Sequence, residues 1–195
     1  MNGLIQKNNA AAESYRADRR SFLKHGLLFS AVLGFWTPAL AMAAERPTAA
    51  RRMFLTNVHT GEKFGGEYWY DGEYLPEAFS VIKTVMRDHR TNEIFPIDPR
   101  LMDVLYVLQN KVKNFTPFEV FSGYRSASTN ARLRRMSRGV ARGSLHMQGQ
   151  AIDINQPGTR LSYLKKTAVR LRSGGVGFYP SSDFVHVDTG RARSW

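Results

Sequence analysis

Beyond residue 43, apolar and aromatic residues cluster over Met53 to Val58 and Glu62 to Tyr70, and both stretches read as strands. His59-Thr60-Gly61 separates them, and Asp71-Gly72 closes the second. Phe64, Tyr68 and Tyr70 keep one parity, as a half-buried strand requires. The spacing then becomes helical. Pro76 opens a helix to about Arg90, with Phe79, Ile82, Val85 and Met86 on one stripe. Asp98-Pro99 caps a second helix to about Lys113, with Leu101, Leu105 and Leu108 inward. Pro117 to Gly123 reads as a strand, Ser126 to Met136 as a short arginine-rich helix, and Gly139 to Gly143 as a loop. Gln150 to Asn155 is a strand and Leu161 to Arg172 a helix. Val176 to Tyr179 and Phe184 to Asp188 form a hairpin turned by Pro180-Ser181-Ser182. Strands and helices interleave without a βαβ rhythm. The expectation is a single α+β domain, an antiparallel sheet flanked by helices.

The first 43 residues stand apart from this pattern. A polar start ends in Arg19-Arg20-Ser21-Phe22-Leu23-Lys24, an apolar stretch runs from Gly26 to Ala41, and Ala41-Met42-Ala43 offers a cleavage site before Ala44. That apolar stretch is interrupted by Pro38 and falls short of the ~20 residues a membrane span needs. The expectation is a cleaved leader over 1–43, an uncleaved anchor helix being the alternative, and a mature domain over 44–195. The arginine pair resembles the twin-arginine export signal, which implies passage across the inner membrane in the folded state and a periplasmic location.

Composition narrows the chemistry. The chain has no cysteine, which excludes thiol nucleophiles, thiolate metal sites and a lipid anchor on cysteine. Five of the 28 Lys+Arg and two of the 16 Asp+Glu lie in the leader, which leaves +9 on the mature chain. Export argues against nucleic acid as the partner and for an anionic polymer of the envelope. Arg132, Arg134, Arg135, Arg138 and Arg142 read as a solvated face, with contact to such a polymer as the second reading. His59 and His89 read as surface residues. Gly174-Gly175-Val176-Gly177 lacks the Lys-Ser/Thr of a phosphate loop, and neither Ser122 nor Ser144 lies in a nucleophile elbow.

The candidate chemistry lies in "SLHMQGQAIDI", residues 144–154. Asp153 stands in the middle of an apolar strand, where a carboxylate is costly without a positive partner. His146 precedes it across the turn at Gly149, and an antiparallel pairing with the last strand could place His186 beside it. Two imidazoles and a carboxylate would hold a tetrahedral Zn²⁺ with one position open, as in catalytic sites. A hydrogen-bonded core pair of His and Asp is the other reading of that spacing.

Ser144-x-His146-x₂-Gly149-x-Ala151-x-Asp153 followed by Asp183-x₂-His186 resembles the zinc peptidases of the D-alanyl-D-alanine carboxypeptidase and VanX group. Ser122-Gly123-Tyr124-Arg125 resembles the upstream segment of that group, and the motif-bearing part, 117–195, is similar above all to the YcbK/MepK-type murein endopeptidases. The resemblance implies a hedgehog/D,D-peptidase-like fold and one zinc per chain on His146, Asp153 and His186. It also implies Asp183 as general base toward the attacking water, and Arg125 on a substrate carboxylate or developing oxyanion. The substrate would be peptidoglycan, and the twin-arginine translocase a partner during export. In a regular strand Asp188, not Asp183, shares a face with His186. Asp188 therefore stands as the alternative base or, with Ser144, as a residue that orients a ligand. Some relatives have a further histidine shortly before the catalytic carboxylate. Here Ser181 and Ser182 stand there, which points to an open pocket and a cut within a cross-link. A D,D-carboxypeptidase or dipeptidase of the same fold, and a metal-stabilised murein-binding module without turnover, are the alternatives.

Overall fold

The computed structural model describes residues 49–137 and 139–195. The expected leader over 1–43, residues 44–48 and Arg138 lie outside the described residues. Among the described residues eight strands form one sheet: β1 (Ala50–Asn57), β2 (Lys63–Tyr70), β3 (Glu73–Tyr74), β4 (Phe118–Ser122), β5 (Ala151–Asn155), β6 (Gly175–Tyr179), β7 (Phe184–Asp188) and β8 (Arg193–Ser194). The helices are α1 (Pro76–Val85), α2 (Pro99–Val112), α3 (Ala127–Met136) and α4 (Leu161–Leu171). No helix among the described residues is long and apolar enough to cross a membrane.

The sheet order is β3-β2-β1-β4-β5-β7-β6-β8. The α+β class holds, but the expected antiparallel sheet is mixed. β1 pairs with β4, and β6 with β8, in parallel. The first of these follows from connectivity: β2, β3, α1 and α2 lie between β1 and β4, and a crossover of that length lets β4 return in the direction of β1. The two-residue strands β3 and β8 carry too short a pattern to be read from sequence.

Helix boundaries follow local chemistry. Asp98 accepts the amide of Arg100 at 3.0 Å, Pro99 fills the first turn of α2, and Lys113 ends it in the left-handed region. α1 stops at Val85, five residues before the expected Arg90. Asp88 is the reason. Its side chain accepts the Arg90 amide at 3.0 Å and its carbonyl accepts Thr91 and Asn92, so a turn replaces the helix.

The apolar parity of the strands, Met53 and Leu55, Phe118 and Val120, Ile152 and Ile154, Val185 and Val187, packs with Ile82, Leu101, Leu105, Leu108 and Leu164 of the helices. Fully burying one such side chain contributes roughly 1.5–3 kcal/mol. Tyr70 is the exception on β2. The β1–β2 register shifts between Arg51 and Arg52, and the ring ends 42% exposed. The opposite parity of β5 and β7 presents Asp153, Asn155, Phe184, His186 and Asp188 on the other face. Ala151 to Ile154 are all buried, so β5 is covered on both faces.

Candidate metal centre

Each member of the site is placed by a specific local constraint. Asp153 pairs directly with His186 across β5 and β7. His146 sits on a single 3₁₀ turn, Leu145–Gln148, closed by Gly149 at φ +66. A Cβ at Gly149 would lie 2.1 Å from the Pro96 carbonyl oxygen, so only glycine lets the chain turn there into β5. The His146 carbonyl accepts the Arg125 amide at 3.1 Å, which ties the turn to the segment after β4.

The nitrogens of the two histidines are assigned by their outer partners. His146 Nδ1 donates to the Gly123 carbonyl at 2.7 Å, which leaves Nε2 as a lone pair facing inward. His186 Nε2 donates to Asp188 Oδ2 at 3.1 Å, which turns Nδ1 inward. Asp153 Oδ1 lies 2.9 Å from His186 Nδ1 and 3.2 Å from His146 Nε2, and the two nitrogens are 3.1 Å apart. Three electron pairs therefore converge with no donor between them when both rings are neutral. Such a set can hold a metal cation, since all three ligand atoms lie within 4.8 Å of one another. The simple His–Asp core pair does not account for the second imidazole.

Electrostatics favour the ligating form of His146 and Asp153, whereas without a cation between them His186 is drawn toward its protonated form. Burial pushes the His146 imidazole down, toward the neutral form that ligates. His186 is also penalised by burial, but its hydrogen bonds to Asp153 and Asp188 prevail and raise it. Burial would raise Asp153, yet the two histidines hold it well below the usual carboxylate range. Asp188 is fully buried and likewise held low, because His186, Arg193 and the amides of Gly175 and Gly190 outweigh its burial. Its Oδ1 accepts Gly175 N at 2.8 Å, and Arg193 donates to Oδ2 at 2.7 Å. A Cβ at Gly175 would come within 2.5 Å of Asp188 Oδ2, so glycine is needed for that approach.

The remaining sequence candidates divide. Arg125 is 9% exposed and packs beside Asp153 with Nη2 at 3.5 Å from Oδ2, while its buried Nε has no partner. Burial lowers its pKa, Asp153 opposes this, and Arg90 adds to the lowering. Ser144 precedes the His146 turn and lines the cavity. Asp183 stands at φ +56 after a short 3₁₀ turn, exposed, with Oδ2 accepting Asn155 Nδ2 at 2.8 Å. That left-handed residue overrides strand parity, since Asn155 shares the face of Asp153. The structure brings Asp183 to Asn155, not into contact with the three ligands. His59 is exposed and His89 half-buried; their rings stack at 3.9 Å, and His59 borders the cavity. Burial, then Arg90 and His59, push His89 down to about 4.

A cavity of about 430 Å³ opens over the centre. Sequence reading missed one of its walls. Phe121, Phe184, Tyr179 and Trp195 form a continuous aromatic band, with Phe184 4.8 Å from Tyr179 and Trp195 donating to the Tyr179 hydroxyl at 2.8 Å. Trp195 reaches to 5.3 Å from His186. The only signal in the sequence was the density of aromatics in its last 20 or so residues.

Residues 45–195 match the family model described as peptidoglycan L,D-endopeptidase MepK. The chain is 44% identical over 186 residues to the peptidoglycan L,D-endopeptidase MepK of Escherichia coli strain K12, covering 94% of this chain and 100% of that one. It is 42% identical over 160 residues to the probable peptidoglycan L,D-endopeptidase MepK of Haemophilus influenzae, covering 81% and 86% respectively.

Proposed function

The chain belongs to the peptidoglycan L,D-endopeptidase MepK family of metallopeptidases, and from that premise we propose that it hydrolyses peptide cross-links of peptidoglycan in the periplasm, using one Zn²⁺ on His146, Asp153 and His186. The observation that carries the metal assignment is the convergence of His146 Nε2, His186 Nδ1 and a carboxylate oxygen of Asp153, with the outer nitrogen of each ring held by Gly123 or Asp188. Two imidazoles and one carboxylate with an open position suit zinc, which when bound polarises a carbonyl and brings the pKa of water to about 7.

The chain's own residues supply the rest. Asp183 takes the proton of the attacking water, and Asn155 holds its carboxylate on the metal-bearing face until substrate arrives. Arg125 lines the cavity and offers a loosely held Nη2 to negative charge on the substrate. Asp188, saturated by donors, holds the His186 ring and has no free electron pair for proton transfer. The leader is assigned to export through the twin-arginine translocase with cleavage after Ala43.

Purified mature protein incubated with intact sacculi or cross-linked muropeptide dimers tests this reading by liquid chromatography. Dimers become monomers, a chelator stops the conversion and Zn²⁺ restores it. Release of alanine from monomers with dimers left intact would overturn the endopeptidase reading in favour of a carboxypeptidase. Binding to sacculi without turnover would leave a binding module.

A further inference from the structure

One end of the cavity is built from two arginine-bearing turns that a single buried carboxylate joins. Asp88 Oδ1 accepts the Arg90 amide at 3.0 Å, while Oδ2 accepts the Ser126 amide at 3.0 Å and the Ser126 hydroxyl at 2.8 Å. Arg90 and Arg125 both line the cavity as a result. Arg125 is nine-tenths buried with Nε unpaired, and among the described residues the exposed Arg90 guanidinium makes no hydrogen bond or ion pair. The carboxylates nearest to them are already committed. Asp88 is filled by three donors, Asp153 faces the two histidines, and Asp188 is closed by Arg193 and backbone amides. Arg90 thus faces the cavity with no anion of the protein to neutralise it, and Arg125 has only a long 3.5 Å contact to Asp153, whose charge the two histidines share.

We propose that Arg90 and Arg125 form a subsite for a free carboxylate of the substrate peptide, adjacent to the scissile bond, and that Arg90 sets specificity for the acid over its amide. The inference rests on the peptidase reading above and adds the ligand chemistry of this end of the cavity. A planar guanidinium matches a carboxylate with two parallel donors, which an ammonium cannot do. An amide in the same place offers one acceptor and presents two hydrogens to two cations, so it is rejected.

The test pairs protein and substrate variants. Arg90→Gln and Arg90→Lys are compared with wild type on a cross-linked peptide carrying the free acid beside the scissile bond, and on the same peptide carrying the amide. Arg90→Gln should raise KM for the acid about tenfold, with a smaller change in kcat and full metal content, and Arg90→Lys should recover only part of it. Wild type should lose a similar factor on the amide, where Arg90→Gln loses nothing further. Calorimetric titration of the metal-loaded protein with an uncross-linked stem peptide reads the same preference without turnover. Arg90-dependent binding with no hydrolysis by wild type would sink the endopeptidase reading and keep this subsite. Hydrolysis with wild-type KM in Arg90→Gln, or an equal loss on acid and amide, would overturn the subsite and keep the peptidase.

Discussion

His186 bonds a carboxylate at each ring nitrogen, and the two carboxylates have opposite fates. Asp153 is presented to the metal position, whereas Asp188 is enclosed by five donors and serves to aim the ring. His146→Ala and His186→Ala should therefore lose zinc in metal analysis. Asp188→Asn should weaken metal affinity about 10–100-fold. Asp183→Asn should keep zinc and lose roughly 10²–10⁴-fold in turnover. If Asp188→Asn abolishes turnover with zinc retained while Asp183→Asn is nearly neutral, the two roles are reversed. The convergence of His146, Asp153 and His186 was legible in sequence, because a carboxylate in an apolar strand demands a positive partner. The aim of Asp183 was not. Parity describes regular strand, and a single left-handed residue cancels it.

At the scale of elements, Asp88 ends α1, braces the turn that bears Arg90 and accepts from Ser126, the N-cap of α3. Burial favours its neutral form, but hydrogen bonds from Thr129, Ser126 and the Arg90 amide prevail and hold it at about 2, below its ordinary 3.8. Because the folded value is the lower one, its contribution to stability is complete above about pH 4 and disappears as pH falls through about 2. Asp88→Asn should cost about 1–3 kcal/mol at neutral pH. Thermal melts between pH 7 and 2 should show a smaller loss of Tm on acidification in the variant than in wild type, and parallel curves would refute the assignment. The same residue shows why periodicity overran α1 to Arg90: the apolar stripe reports which face is buried, not where a side chain intercepts the backbone. Strands β4, β5 and β7 were legible within a residue or two, since their patterns are long enough to count. The parallel pairings were not, because strand direction is set by connections far apart in sequence.

For the whole molecule, the proposed metal would join the turn at residues 145–148 to β5 and β7, segments otherwise linked by backbone bonds and packing. A ligand that binds only the folded chain adds stability by mass action, about 2.7 kcal/mol at one hundred times its Kd. Chelation should accordingly lower Tm, added Zn²⁺ should restore it, and His186→Ala should respond to neither. An unchanged Tm in wild type would argue against a resident metal on these residues. The last strand has another consequence. β8 is two residues long and, with the Trp195 backbone, covers β6, so this border of the sheet offers a second copy no extended template on which to add and polymerise. That guard is assembled from the same few residues that serve the centre: β8 shields β6, Arg193 grips Asp188, and Trp195 leans on His186. Truncation of this tail would therefore couple two losses, since it uncovers the edge of β6 and releases the carboxylate that aims His186.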